Sequence, residues 1–277
     1  MNSKNNKFPI FIFGQTRRTG TNFLQSVLSQ HSDCSPHLFP ENNFLAVSNL
    51  LKSYSEFSWR MDFADKYPFD KYKVELMKNL GAGLLDFIHS NSKTERPILK
   101  STTLVGLENF FDLFPQGKYL ILIRDGRCTV ESLVRTFSWE GKRPKWIFPD
   151  AKPMTYDDAI RKWAKSARQV IQLKENLHRN NKQVEFIKYE DLVLNAKITV
   201  KRILKFCDLD WRNYDFDKLA ELPIIGSSQF KSNDPWKVTH ALGPDFKPLE
   251  RDVDWDSRLK KKFEKMAGKE SRELGYF

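Results

Sequence analysis

Two short segments carry residue types that hold phosphate. In the first, FPIFIFGQTRRTGTNFLQSVL from Phe8 to Leu28, an apolar run ends at Gly14, a turn reaches Gly20, and a helical pattern opens at Thr21. Glycines let a backbone approach an anion closely, and the open N–H groups of a helix start point at it. The triphosphate-binding form of such a loop, G-x-x-x-x-G-K-[ST], has a lysine after the second glycine. Here the spacing is one residue longer and Thr21 stands where that lysine would be. Arg17 and Arg18 therefore supply the side-chain charge, and Thr19, Thr21 and Asn22 supply donors. In the second segment, KYLILIRDGRCTVESLV, Arg124 directly follows a strand pattern and Ser132 lies eight residues on, one or two turns into the next helix. That spacing can present a guanidinium fork and a hydroxyl to one phosphate. Two anion sites on neighbouring strand ends imply a ligand with two separate phosphate groups.

The elements that must position these residues are short apolar strands alternating with helical patterns. Strands are predicted at Phe8–Phe13, Arg96–Lys100, Lys118–Ile123 and Gln183–Lys188. Their near-continuous apolar character suits a parallel sheet buried on both faces. Helices are predicted at Thr21–Gln30, Tyr72–His89, Leu104–Phe114, Cys128–Phe137, Tyr156–Leu177 and Lys197–Phe206, and RLKKKFEKMAGK reads as one face of a further helix. The alternation predicts an α/β, P-loop-like three-layer fold, with a central mainly parallel sheet flanked by helices and ligands at the strands' carboxyl ends. No repeat or linker interrupts the chain, so residues 1–277 are expected to form a single domain. The stretch Leu222–Val253, rich in Pro, Gly, Ser and Asp, is expected to cover the site.

Composition narrows the function classes. With 46 basic against 35 acidic residues the net charge is +11, which suits nucleic acid, an acidic surface or a highly anionic small ligand. No basic block of five or six residues occurs, and the excess reads as mostly solvated surface, partly recruited for an anionic ligand. No apolar run approaches the roughly 20 residues that span a bilayer. MNSKNNK and the short run after it lack the long apolar region of a secretory signal, so a cytoplasmic location is expected. Cys34, Cys128 and Cys207 are scattered and odd in number, forming neither a disulfide framework nor a zinc motif.

Together the segments resemble the sulfotransferases that use 3′-phosphoadenosine 5′-phosphosulfate. In that family a first loop of the form R-S-G-T-T holds the 5′-phosphosulfate, and RTGTN at Arg18–Asn22 is similar to it. A second segment, R-D-x-R followed by a helix serine, holds the 3′-phosphate, and Arg124 and Ser132 match it. YEDL at Tyr189–Leu192 matches the family's motif closing a late strand, GSSQFKSNDPWKV at Gly226–Val238 resembles its late serine-and-lysine segment, and MAGKESRELGYF resembles the terminal helix of tyrosylprotein and carbohydrate sulfotransferases. The islands are ordered and span most of the chain. The resemblance implies phosphosulfate as the ligand of the first loop and neither a triphosphate lysine nor a metal.

Sulfuryl transfer, taken as analogous to loose phosphoryl transfer, is an in-line displacement governed by positioning and charge stabilisation. The resemblance places a glutamate some twenty residues after the first loop's arginine, and Glu41, 23 residues beyond Arg18, is the expected base for the acceptor's O–H or N–H. His37 and His31 are rival bases. Lys100, at a strand end, is expected to reach the sulfuryl oxygens, although KSTT replaces the family's K-D-P or K-x-P turn there. Arg18 would neutralise charge at the bridging oxygen. Ser227 or Ser228 would touch the 3′-phosphate, Lys237 (or Lys231) would close over the nucleotide, and Tyr189 would pack on it or serve the fold. The aromatic patch Tyr54–Phe69 could line an acceptor pocket.

The acceptor is expected to be a small polar metabolite or natural product, sulfated on a hydroxyl or on an amino or carbamoyl nitrogen. A carbohydrate or a tyrosyl peptide is the alternative. Neither nucleic acid nor a membrane is an expected partner, and the sequence sets no oligomeric state. Two remoter readings are a P-loop kinase, which would need a loop lysine and a metal-binding acid, and a nucleic-acid-binding module, whose binding would fall steeply with salt.

Overall fold

The computed structural model describes residues 8–36, 48–53, 69–137, 152–180, 183–222, 224–225, 227, 239–240 and 247–276. Glu41, His37, Ser228, Lys231 and Lys237, with the aromatic patch up to residue 68, lie outside the described residues.

Five strands form one all-parallel sheet in the order β2-β3-β1-β4-β5. They are β1 (Ile10–Gly14), β2 (Cys34–Pro36), β3 (Arg96–Ser101), β4 (Lys118–Ile123) and β5 (Val184–Lys188). The helices are α1 (Thr21–Leu28), α2 (Phe69–Ser90), α3 (Leu107–Leu113), α4 (Gly126–Phe137), α5 (Tyr156–Asn180), α6 (Tyr189–Leu194), α7 (Ala196–Phe206) and α8 (Ser257–Glu273). Two short strands, β6 (Ile224–Ile225) and β7 (Thr239–His240), pair antiparallel apart from the main sheet. The α/β class and parallel sheet agree with the sequence-based expectation.

The apolar runs work because both sheet faces are covered. Side chains alternate along a strand. Ile10, Ile12, Leu120 and Leu122 pack on one face with Leu24, Leu28, Leu192 and Ile203 from α1, α6 and α7. Phe11, Phe13, Tyr119, Ile121 and Ile123 pack on the other with Phe110, Leu133, Trp163 and Phe263 from α3, α4, α5 and α8.

Two elements depart from expectation. β2 has three residues and ends in proline, too short to carry a pattern; its pairing with Arg96–Ile98 makes it a strand. YEDL does not close β5. The strand stops at Lys188, and Tyr189 opens α6, with Glu190 and Asp191 in the first turn, where the helix dipole favours acids.

Topology then selects the site. The chain winds outward to β2, returns through β3 beside β1, and crosses to β4 on β1's other side. Ligands of open α/β sheets bind beyond the carboxyl ends of the strands where the winding reverses. The ends of β1 and β4 carry the loop after Gly14 and Arg124.

Candidate functional site

The loop leaving β1 is stitched to the sheet and to itself. Gln15 N–H donates to Leu122 O at 2.8 Å. The Thr19 hydroxyl donates to Thr16 O and accepts from Thr16 N–H, so this side chain fastens the turn and its hydroxyl proton is already engaged. Arg18 and Gly20 both have left-handed backbones, φ 72° and 106°. For Arg18 that conformation costs about 1–2 kcal/mol. The turn is held in place because Arg124 Nη1 donates to Arg18 O at 3.0 Å. A Cβ at Gly20 would lie 2.5 Å from Cδ2 of the Tyr189 ring. Gly20→Ala is therefore expected to lower unfolding free energy by about 1–3 kcal/mol, read from urea unfolding, since both the φ and the ring contact oppose it.

Arg124 is the centre of the second segment and is only 4% exposed. Its backbone is gripped from two sides. Trp163 Nε1 donates to Arg124 O at 3.2 Å, and the following amide, Asp125 N–H, donates to Glu190 Oε1 at 3.0 Å. Its guanidinium stacks 4.3 Å from the Tyr189 ring centroid and also donates to Pro248 O. Tyr189 thus lines the site as a buried platform, with Gly20 and Arg124 against it. Arg18 Nε donates to Ser132 Oγ at 3.2 Å, joining the first loop to α4. The two segments, 106 residues apart at the Arg124–Arg18 contact, form one continuous polar patch.

The remaining expected residues surround it. Thr21 is buried at the first position of α1, and Asn22 Oδ1 accepts from Lys100 Nζ. The register Ile12↔Lys100 brings that lysine to the loop from β3. Arg17 is exposed, its guanidinium 5.7 Å from the Phe137 ring centroid. Ser227 accepts from Arg251. His31 has both ring nitrogens engaged by the backbone. Its Nδ1 accepts Asp33 N–H at 3.2 Å, which leaves Nε2 to donate to Asp210 O at 3.2 Å, so the buried ring fastens β2 to the segment after α7. Cys34, Cys128 and Cys207 are all buried and none is in a disulfide.

Arg251 is the residue that sequence reasoning missed. It is 6% exposed, and its Nη2 donates to Ser227 Oγ at 3.1 Å. Its Nε and Nη1, like Nε of Arg124, are buried with no hydrogen-bond partner among the described residues. Burial, then the neighbouring charge of Arg124, pushes its pKa down to about 10. Buried cations whose charges oppose one another, with donors left open, are an unfavourable arrangement that an anion would relieve. In LERDVDWD the arginine reads as one charge among acids, and no local spacing marks it. Sequence reasoning also missed the buttress behind Arg124. Glu190 holds Asp125 N–H with one oxygen and accepts from Tyr276 OH at 3.2 Å with the other, and burial raises its pKa. Glu190→Ala is expected to weaken adenosine 3′,5′-bisphosphate binding about 10-fold by loosening Arg124, as measured by calorimetry. It should leave kcat at saturating donor within about threefold, since this carboxylate touches no reacting atom.

The residues fit a nucleotide with phosphates at two places. Gly20 and the α1 start offer backbone donors, Arg18 and Lys100 offer charge beside them, and Arg124, Ser132 and Arg251 offer a second cationic seat.

The model of the sulfotransferase family matches residues 9–213. The protein-tyrosine sulfotransferase of Drosophila melanogaster is 25% identical over 217 residues, covering 76% of this chain and 40% of that protein. Protein-tyrosine sulfotransferase A of Caenorhabditis elegans is 23% identical over 234 residues, covering 83% and 57%. The chain spans about half the length of these curated relatives. In fold it is similar to the sulfotransferase domain of the curacin biosynthetic pathway, with a TM-score of 0.55, 18% identity and 98% of each chain covered. It is also similar to the sulfotransferase domain of the Synechococcus PCC 7002 olefin synthase, with a TM-score of 0.50, 18% identity and 95% and 97% covered. With three-quarters of its length matched by one family model, and both anion segments inside that match, the chain belongs to the sulfotransferase family.

Proposed function

We propose that the protein moves a sulfuryl group from 3′-phosphoadenosine 5′-phosphosulfate to a hydroxyl, or to an amino or carbamoyl nitrogen, of a small polar metabolite or natural product. The observation that carries this reading is the contact of Arg18 with both Ser132 and Arg124, which joins two anion cradles into one site. The donor supplies an activated sulfuryl group on a good leaving phosphate. Gly20, Thr21 and the α1 start bind the 5′ end, while Arg124, Ser132, Arg251 and Ser227 bind the 3′-phosphate. Arg18 offsets charge growing on the bridging oxygen, and Lys100 steadies the sulfuryl oxygens as a point donor. Tyr189 supports Gly20 and Arg124 as a platform. Glu41, in the region outside the described residues, takes the acceptor proton, and Ser228 and Lys237 complete the cover. Residues 1–277 act as one domain, with 222–253 over the site, and no metal takes part.

A tyrosyl peptide is the second reading of the acceptor, supported by the protein-tyrosine sulfotransferases among the relatives. The small-metabolite reading is supported by fold likeness to domains of a natural-product pathway and an olefin synthase.

Calorimetry with adenosine 3′,5′-bisphosphate in the absence of Mg²⁺ tests the donor assignment. Binding without metal, and tighter than ATP with Mg²⁺, is the expected result; preference for ATP would replace this reading with a kinase. Transfer of label from ³⁵S-donor to a metabolite pool, against an acidic tyrosyl peptide, separates the two acceptor classes.

A further inference from the structure

Helix α8 ends in a way that turns one side chain toward the sheet. Leu274 closes the helix, and Gly275 follows with a left-handed backbone, φ 76°. Gly275 N–H donates to Arg272 O at 2.9 Å, and Tyr276 N–H donates back to Ser271 O at 3.0 Å. Such a paired closure needs a residue that tolerates positive φ just after the last helical turn, and glycine does so at no steric cost. The run LGY therefore stops α8 and fixes the direction in which Tyr276 leaves it.

Tyr276 arrives at the carboxyl ends of β4 and β5. The register Ile123↔Lys188 sets Arg124 and Asp125 beside Tyr189 and Glu190 as the two strands end. Lys188 Nζ donates to Gly275 O at 3.0 Å and lies 4.7 Å from the Tyr276 ring centroid. Arg127 Nη2 donates to Tyr276 O at 3.4 Å while holding the Asp125 carboxylate at 2.6 Å. The Tyr276 hydroxyl donates to Glu190 Oε2 at 3.2 Å, and Glu190 Oε1 accepts Asp125 N–H at 3.0 Å. The contacts close a ring that runs from Tyr276 through Glu190, Asp125 and Arg127 and back to Tyr276.

That ring takes in the chain neighbours of the two residues that set the Arg124 guanidinium. Asp125 follows Arg124 itself, and Glu190 follows Tyr189, whose ring centroid lies 4.3 Å from the guanidinium. Among the described residues no cation forms an ion pair with Glu190, so hydrogen-bond donors must hold its carboxylate. Burial pushes its pKa up, and a donor lost from it would go unreplaced in the interior. Burial, then the Glu190 carboxylate, pushes the Tyr276 phenol far up, which keeps its hydroxyl protonated and able to donate.

We propose that Tyr276 is a positioning residue for the 3′-phosphate seat: acting through Glu190, it sets the turn that carries Arg124 and so strengthens the preference for a nucleotide bearing that phosphate. This rests on the reading of Arg124 as a ligand of the 3′-phosphate. A guanidinium fork recognises a phosphate by direction as well as by charge, so its discrimination depends on how firmly its backbone is held.

The test is calorimetry on the full chain with adenosine 3′,5′-bisphosphate and with adenosine 5′-monophosphate, with urea unfolding in parallel. Tyr276→Phe keeps the ring and its Lys188 contact and removes only the hydroxyl. It is expected to weaken bisphosphate binding about 5-fold and to leave monophosphate affinity within about twofold of wild type. In a Glu190→Ala background the same substitution should add less than about twofold, because both changes break one link. A purely structural role would weaken both nucleotides alike. That outcome would overturn the proposal, as would unchanged bisphosphate affinity, a fully additive loss in the double variant, or a Tyr276→Phe chain that no longer folds. Wild-type protein that binds the monophosphate as tightly as the bisphosphate would instead overturn the reading of Arg124 on which the proposal rests.

Discussion

Lys100→Met is expected to lower kcat about 10²- to 10³-fold, while adenosine 3′,5′-bisphosphate still binds within about threefold of wild type. The methionine keeps most of the side chain's length and apolar stem, so the β3 register Ile12↔Lys100 and the packing around it remain. What is lost is a compact charge that reaches Asn22, and hence the first turn of α1, from the neighbouring strand. A donor aimed at oxygens that gain charge only during transfer affects the transition state more than the ground state. The bisphosphate product, which carries no sulfuryl group, should bind almost normally. Steady-state rates with ³⁵S-donor alongside product calorimetry separate the two quantities. A parallel fall in kcat and in bisphosphate affinity would assign Lys100 to nucleotide binding, and unchanged turnover would remove it from the site.

Glu131→Ala is expected to lower unfolding free energy by about 3 kcal/mol at neutral pH. Glu131 is buried on α4, one residue before Ser132, and three donors converge on it. Tyr156 OH at 2.8 Å and Trp255 Nε1 at 2.7 Å share one oxygen, and Arg135 Nε holds the other. The carboxylate joins α4 to the start of α5 and to the segment ahead of α8. Removing it leaves the Trp255 donor buried with nothing to accept from it. Burial by itself would raise the Glu131 pKa, but the hydrogen bonds from Trp255, Arg135 and Tyr156 outweigh it and hold it below the ordinary 4.5. A carboxyl held low in the folded chain contributes stability that is complete above its unfolded pKa and is lost as pH falls through the folded one. The gap between wild type and Glu131→Ala in urea unfolding should therefore be widest near pH 7 and narrow below about pH 4. A gap of constant size across that range would mean that the cavity, and not the charge, sets the loss. Tyr156 is the reciprocal case. Burial and the adjacent carboxylate push its phenol up to about 12, so it stays a donor across the working range.

Much of the fold was legible because its physics is local or strongly patterned. β1 and β4 are buried on both faces and appear as near-unbroken apolar runs, and the ends of β1, β3, β4 and β5 all fall within two residues of those expected. The amphipathic helices α5 and α7 likewise begin within a residue of expectation. β2 and α6 were not legible: one has three residues and exists through its neighbour, and the other reads from sequence as the end of β5. The same division holds for the site. Thr19 shows its limits: a donor by residue type, it is a turn fastener by geometry.

The sequence by itself determined the two cradles, because a strand, a glycine turn and a helix start are fixed within some twenty consecutive residues. The spacing from Arg124 to Ser132 is likewise set by the rise of one helix. Only the tertiary structure decided which distant side chains complete them. Arg251 comes to Ser227 from 24 residues away, Tyr276 to Glu190 from 86, and Trp163 to Arg124 from 39. Those meetings depend on the crossing order of the sheet and on helices packing over it. Hydrogen bonds and charges act over a few ångströms, whereas sequence patterns report only the face each residue shows to its own neighbours.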